Sequence, residues 1–167
     1  MNPKLTRASV QLSFEPSVGV VTPLAAWVAQ LCELALQDQD ASSRLQMAVY
    51  ELVENSVRYC KPDSPVGVEV ELVRHAETSE LKVSTRNRAT PEQLQRAVEH
   101  LASVKGATDA VSYYDDLVRD SAPRAGVSGL GLARLRAEAD LNVDYHVIGD
   151  ELTICVHAAL DPHSLHD

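Results

Sequence analysis

Two short stretches of the chain carry residue types that could do chemistry. The first is Glu51-Leu52-Val53-Glu54-Asn55. On a helix, residues four apart share a face, so Glu51 and Asn55 would project together while Leu52 and Val49 turn to the core. A carboxylate can orient or deprotonate a nucleophile, and an amide oxygen is a neutral hard ligand suited to a magnesium ion that already carries phosphate oxygens. The same spacing also fits two solvated polar residues. The second stretch is Gly126-Val127-Ser128-Gly129-Leu130-Gly131-Leu132-Ala133. Where glycines lead into a helix, bare backbone N–H groups approach a phosphate and the helix dipole adds to the attraction, which favours a polyphosphate ligand. A tight packed turn accounts for such glycines as well.

Other candidates carry less chemistry. His163 and His166 lie in a polar tail, 161–167, that reads as flexible rather than metal-binding, and His75, His100, His146 and His157 are scattered. Trp27 and Tyr50 fall on apolar helix faces and are expected in the core, while Asp115 and Asp116 read as a solvated face.

The elements that would hold the two stretches follow from periodicity. Alternation around Ala8, Val10, Leu12 and Phe14 predicts a strand over 6–14. Pro23 reads as the first turn of a helix of about four turns, with Leu24, Val28, Leu31, Cys32 and Ala35 as its stripe. A polar break at 38–43 precedes a second helix that carries Leu45, Ala48, Val49, Leu52, Val53 and Ser56 at helical spacing to about Cys60. Strands are expected over 66–75 and 81–86, joined by a turn at 77–80. Thr90-Pro91-Glu92 is a helix start, and a shorter helix is expected over 111–118. A final helix over 129–140 leads to a hairpin of strands 143–148 and 152–157 across Gly149-Asp150. Helices mixed with hairpins, without regular βαβ alternation, predict an α+β fold: a two-layer sandwich whose mainly antiparallel sheet is covered on one face by helices. Neither a simple Rossmann fold nor a P-loop enzyme fits, since no Walker A pattern is present.

Composition narrows the setting. The 167 residues, 45% hydrophobic, suit one domain over 1–160. With 24 acidic against 15 basic residues, the net charge of −9 opposes binding to nucleic acid or an anionic membrane. Cys32, Cys60 and Cys155 are odd in number and far apart, which fits free thiols and a cytoplasmic location. No signal peptide is evident, and no stretch reads as approaching the roughly 20 apolar residues of a membrane span.

Taken in order, the two stretches resemble a known pair of motifs. Glu51-Leu-Val-Glu-Asn55-Ser-Val-Arg58-Tyr is similar to the N box of the GHKL ATPases, and Gly126-Val-Ser-Gly129-Leu-Gly131-Leu-Ala to their second glycine box. The resemblance runs from the first strand to the final hairpin and implies the Bergerat nucleotide fold, with ATP and Mg²⁺ as cofactors. It implies Glu51 as catalytic glutamate, Asn55 as magnesium ligand and Arg58 as a basic residue on the phosphate side. Gly126, Gly129, Leu130 and Gly131 would form the phosphate-facing loop, and 102–124 the ATP lid.

One motif departs from the family. Where its first glycine box places Asp-x-Gly-x-Gly, with the aspartate on the adenine amino group, this chain has Ser84-Thr85-Arg86-Asn87-Arg88-Ala89. Asn87 is the candidate substitute, and Arg86 and Arg88 would either crowd the base pocket or point outward. No histidine precedes position 75, so autophosphorylation on histidine is not expected, and the chain stops too soon after its last predicted strand for a transducer domain. The resemblance is therefore to anti-sigma-factor serine kinases and SiaB-like regulatory kinases, which phosphorylate a Ser or Thr of a small STAS-type antagonist. In the SiaB-like arrangement Asn87, Leu94, Leu101, Tyr113 and Tyr114 replace the usual first box. Two functions are expected from this: a Mg-ATP-dependent protein serine/threonine kinase, or a pseudo-ATPase that sequesters a partner protein through its surface. A homodimer, through the first helix or a sheet edge, is compatible with either.

Overall fold

A computed structural model describes residues 7–74, 78–121 and 129–160. Ten elements follow one another as β1 (Arg7–Phe14), α1 (Val18–Leu36), α2 (Gln39–Tyr59), β2 (Val66–Arg74), β3 (Ser79–Arg88), α3 (Pro91–Gly106), α4 (Ala110–Ser121), α5 (Leu130–Glu138), β4 (Asn142–Ile148) and β5 (Glu151–Leu160). The strands form one sheet in the order β1-β2-β3-β5-β4, with every pairing antiparallel. This is the expected α+β sandwich. The last strand in sequence enters the sheet beside β3, pairing Asn87 with Leu152 and Thr85 with Ile154.

The two faces of β3 state the layering. Ser79, Leu81, Val83, Thr85 and Asn87 are buried, and the residues between them are more open. The buried row meets α2, whose Leu45, Ala48, Val49, Leu52 and Val53 are almost fully enclosed. Alternation of period two on the strand and of three to four on the helix thus build one core.

Several boundaries differ from expectation. Asp38 accepts from the Ala41 N–H at 2.9 Å, so α2 begins inside the polar break. Helix α1 begins at Val18, placing Pro23 inside it rather than at its first turn. Burial of Val21, 2% exposed, draws the earlier residues into the helix. At 19 residues α1 is long and apolar enough, by length and composition, to cross a membrane, which corrects the expectation that no stretch approaches that length. In this fold it packs on α2 through Val21, Leu24, Ala25, Val28 and Cys32, and the Ser42 hydroxyl of α2 donates to the Ala29 carbonyl at 2.7 Å. Trp27 and Tyr50 are 44% and 40% exposed. They are surface residues, not the core residues expected, because each lies on the outward face of its helix. The flexible tail expected over 161–167 lies outside the described residues.

The segment expected as a lid is largely helical among the described residues. Positions 102–106 complete α3, and α4 spans Ala110–Ser121 with Tyr113, Tyr114 and Leu117 resting against the core. Positions 122–124 are outside the described residues.

Candidate functional site

One cleft gathers most of the chemistry singled out above. It opens between the C-terminal part of α2 (Asn55, Ser56, Tyr59), the end of β3 (Asn87, Ala89) and the inner face of α3 (Gln93, Arg96, Ala97, His100, Leu101). Gly129 and Leu132 at the start of α5, with Leu152 and Ile154 of β5, close it. Its volume is about 280 Å³, just below the usual size of small-molecule sites.

Each wall is placed by a local cause. Asn55 and Ser56 reach the cleft because α2 packs its Leu52 and Val53 against the sheet. Asn87 is 3% exposed, on the same inward row of β3 as Val83. Outside it, Lys61 and Arg88 both bond the Asp150 carboxylate, at 2.8 and 2.9 Å. The Lys61 N–H also donates to the Arg88 carbonyl and the Ala89 N–H to the Asp150 carbonyl. These bonds fix the end of β3 and the residue after it. Arg86 lies outward too, 3.8 Å from Glu151. Neither arginine crowds the pocket. Helix α3 starts with a complete capping box, in which the Gln93 N–H donates to the Thr90 hydroxyl and the Gln93 side chain accepts from the Thr90 N–H.

The glycines meet specific neighbours. Gly129 caps α5 with φ 123°, a conformation that favours glycine, and the His100 ring lies where its side chain would be, 2.9 Å from an ideal Cβ. A Cβ on Gly131 would fall 1.9 Å from Oε2 of Glu51. Glu51 is therefore seated on the first turn of α5, one turn along α2 from Asn55, with Oε1 3.7 Å from Arg134, which also bonds Glu138 at 2.7 Å. Burial pushes the Glu51 carboxyl above the usual carboxylate range, against the lowering pull of Arg134. Burial likewise pushes the His100 imidazole down.

The remaining expected residues are dispersed. Arg58 is exposed and paired with Glu54 at 2.6 Å, away from the cleft. Leu130 and Gly131 stand in the first turn of α5, behind Gly129, and Gly126 lies outside the described residues. Leu101 lines the cleft, whereas Leu94, Tyr113 and Tyr114 pack against the core beside it. Sequence reasoning missed Ser56, Tyr59, Gln93, Arg96 and His100 as lining residues. For α3 a signal was present: Gln93, Arg96 and His100 recur at spacings of three and four beside the apolar stripe of Leu94, Ala97 and Leu101.

Two polar atoms of the cleft have no partner among the described residues. Ser56 Oγ and His100 Nε2 are buried without a hydrogen bond, as is Thr85 Oγ1 on the inward row of β3. A buried polar atom left unpaired costs about 1–3 kcal/mol and calls for an explanation, of which a bound ligand is one. For a nucleotide the set fits: the lining carries the amides of Asn55 and Asn87, the Ser56 hydroxyl, Arg96, His100 and Gly129 at the start of α5. For a metal, Asn55 contributes a single neutral oxygen, and no group of three His, Cys, Asp or Glu stands together among the described residues. Magnesium would need phosphate oxygens to complete its shell.

No protein-family profile matches the sequence, and no curated protein does. Among solved structures, a chain of the SiaB-SiaC complex from Pseudomonas aeruginosa superposes with a TM-score of 0.62 at 12% identity, covering 90% of this chain and 89% of that one. The two chains share a fold. A looser likeness, TM-score 0.38 at 13% identity over 92% of this chain and 68% of the other, is to the Acinetobacter baumannii histidine kinase AdeS. At 12% identity the likeness to the first is one of fold.

Proposed function

We propose that this protein is a nucleotide-binding regulator that transfers a phosphoryl group from Mg-ATP to a serine or threonine hydroxyl of a small partner protein. The observation that carries the reading is the cleft at the junction of α2, β3, α3 and α5, which holds Asn55, Asn87 and Gly129 together with two unpartnered buried polar atoms. Mg-ATP, when bound, supplies the group transferred. Asn55 would give its amide oxygen to the metal, and Asn87 would face the base. Arg96, His100 and the N-terminal N–H groups of α5 would hold the phosphate charge. Glu51, with a carboxyl whose affinity for protons is raised by burial, is the candidate to take the proton of the accepting hydroxyl. A small regulatory protein is the proposed partner, by analogy of fold with the chain from the SiaB-SiaC complex, and the motif resemblance of the sequence favours one of STAS type.

A second reading has its own observation. The Glu51 carboxylate is engaged by Arg134 and seated on Gly131 rather than lining the cleft. A pseudo-ATPase that sequesters a partner needs no free base there. Calorimetric titration with ATP and ADP, with and without Mg²⁺, separates the two. Magnesium-dependent binding, weakened at least about tenfold by Asn55→Ala, is expected for the kinase. Absence of binding at millimolar nucleotide would leave the sequestering module.

A further inference from the structure

The charge of the cleft differs from that of the protein around it. The chain has 24 aspartates and glutamates, yet none is among the described residues that line the cleft, where Arg96 and His100 supply the titratable groups besides Tyr59. What lies at its α2 and β3 walls is neutral. Asn87 is 3% exposed, and its Nδ2 makes only a 3.4 Å contact with the Arg88 carbonyl. Ser56 is 2% exposed with an unpartnered hydroxyl.

These groups differ from a carboxylate in kind. An ionised carboxylate only accepts hydrogen bonds, so it suits an amino group and repels a carbonyl oxygen. An amide offers donors and an acceptor, exchanged by a half-turn of the side chain, and a hydroxyl does both. Adenine presents an amino group at C6 with an acceptor beside it, whereas guanine presents a carbonyl oxygen with an N–H beside it. We propose that Asn87 and Ser56 let this cleft bind 6-oxopurine nucleotides such as GTP as readily as ATP. The proposal rests on the nucleotide reading above and names the class of nucleotide.

The test is calorimetric titration of the full chain with ATP, GTP and CTP in Mg²⁺, on the wild type and on Asn87→Asp and Ser56→Ala. Expected for the wild type are ATP and GTP affinities within about tenfold of each other, with CTP weaker by more than that. Asn87→Asp should weaken GTP by at least roughly tenfold while sparing ATP, because the new carboxylate faces a carbonyl oxygen. Ser56→Ala should weaken both purines and keeps the test decisive if the aspartate variant does not fold. ATP bound about a hundredfold more tightly than GTP by the wild type would overturn the proposal and leave the nucleotide reading standing. CTP binding equal to both purines would also overturn it, since phosphates alone would then be read. Failure of all three nucleotides to bind would overturn the proposal together with the nucleotide reading.

Discussion

Gly131 is required by its neighbour rather than by its own backbone. Gly129 alone of the two has a positive φ; at Gly131 the constraint is the Glu51 carboxylate, which occupies the space of a side chain. Gly131→Ala should destabilise the protein by about 1–3 kcal/mol or expel Glu51 from α5, and adding Glu51→Ala should recover most of the loss. Thermal melts of both single variants and the double variant measure this, and additive losses would refute the contact. The spacing of Glu51 and Asn55 made their shared helix face legible in the sequence. The approach of Glu51 to Gly131 was not, since it joins residues 80 positions apart through packing of α2 on α5. Ser56 was hidden for a different reason. It repeats in phase with Leu45, Leu52 and Val53, so its hydroxyl sits on an otherwise apolar stripe and its buried, unpartnered state shows only in three dimensions.

At the level of elements, two Thr-Pro pairs looked alike and behaved differently. Thr90-Pro91 does start a helix, because Gln93 completes the capping box; Thr22-Pro23 lies inside one, where the third residue on is Ala25 and nothing closes a box. The pattern of a single dipeptide is too short to tell these apart, and burial of Val21 decides. Both hairpins were legible, since alternation and turn residues are local. The latch across the end of β3 was not, as it joins Lys61 in the segment after α2, Arg88 of β3 and the turn at Gly149-Asp150. Arg88 and Lys61 hold the Asp150 carboxyl down at about 2. A depressed carboxylate contributes stability above its unfolded value, and that contribution is lost as pH falls through the folded one. Asp150→Asn should therefore lower the melting temperature at neutral pH, and the difference from wild type should close between about pH 4 and pH 2. A difference independent of pH would show that the latch does not act through charge.

On the scale of the whole molecule, the layer arrangement was legible because both periods point to one sheet with helices on one face. Which helix faces remain outside was not, because α1 is apolar almost all round. Its exposed side carries Trp27 and Leu34, and Val18 is exposed at its start. Trp27 is the only tryptophan, so acrylamide should quench most of the native fluorescence in dilute solution; strong protection would mean that α1 is covered. The strand order carries a further consequence, for the chain as it is made. β5 is the last element of the sheet to leave a ribosome, yet it lies between β3 and β4. Until it arrives, β3 presents an unpaired edge and the cleft lacks Leu152 and Ile154. During synthesis the nascent chain therefore carries an aggregation-prone strand edge for about 60 residues after β3 is complete, and sheet and cleft close in a single late event.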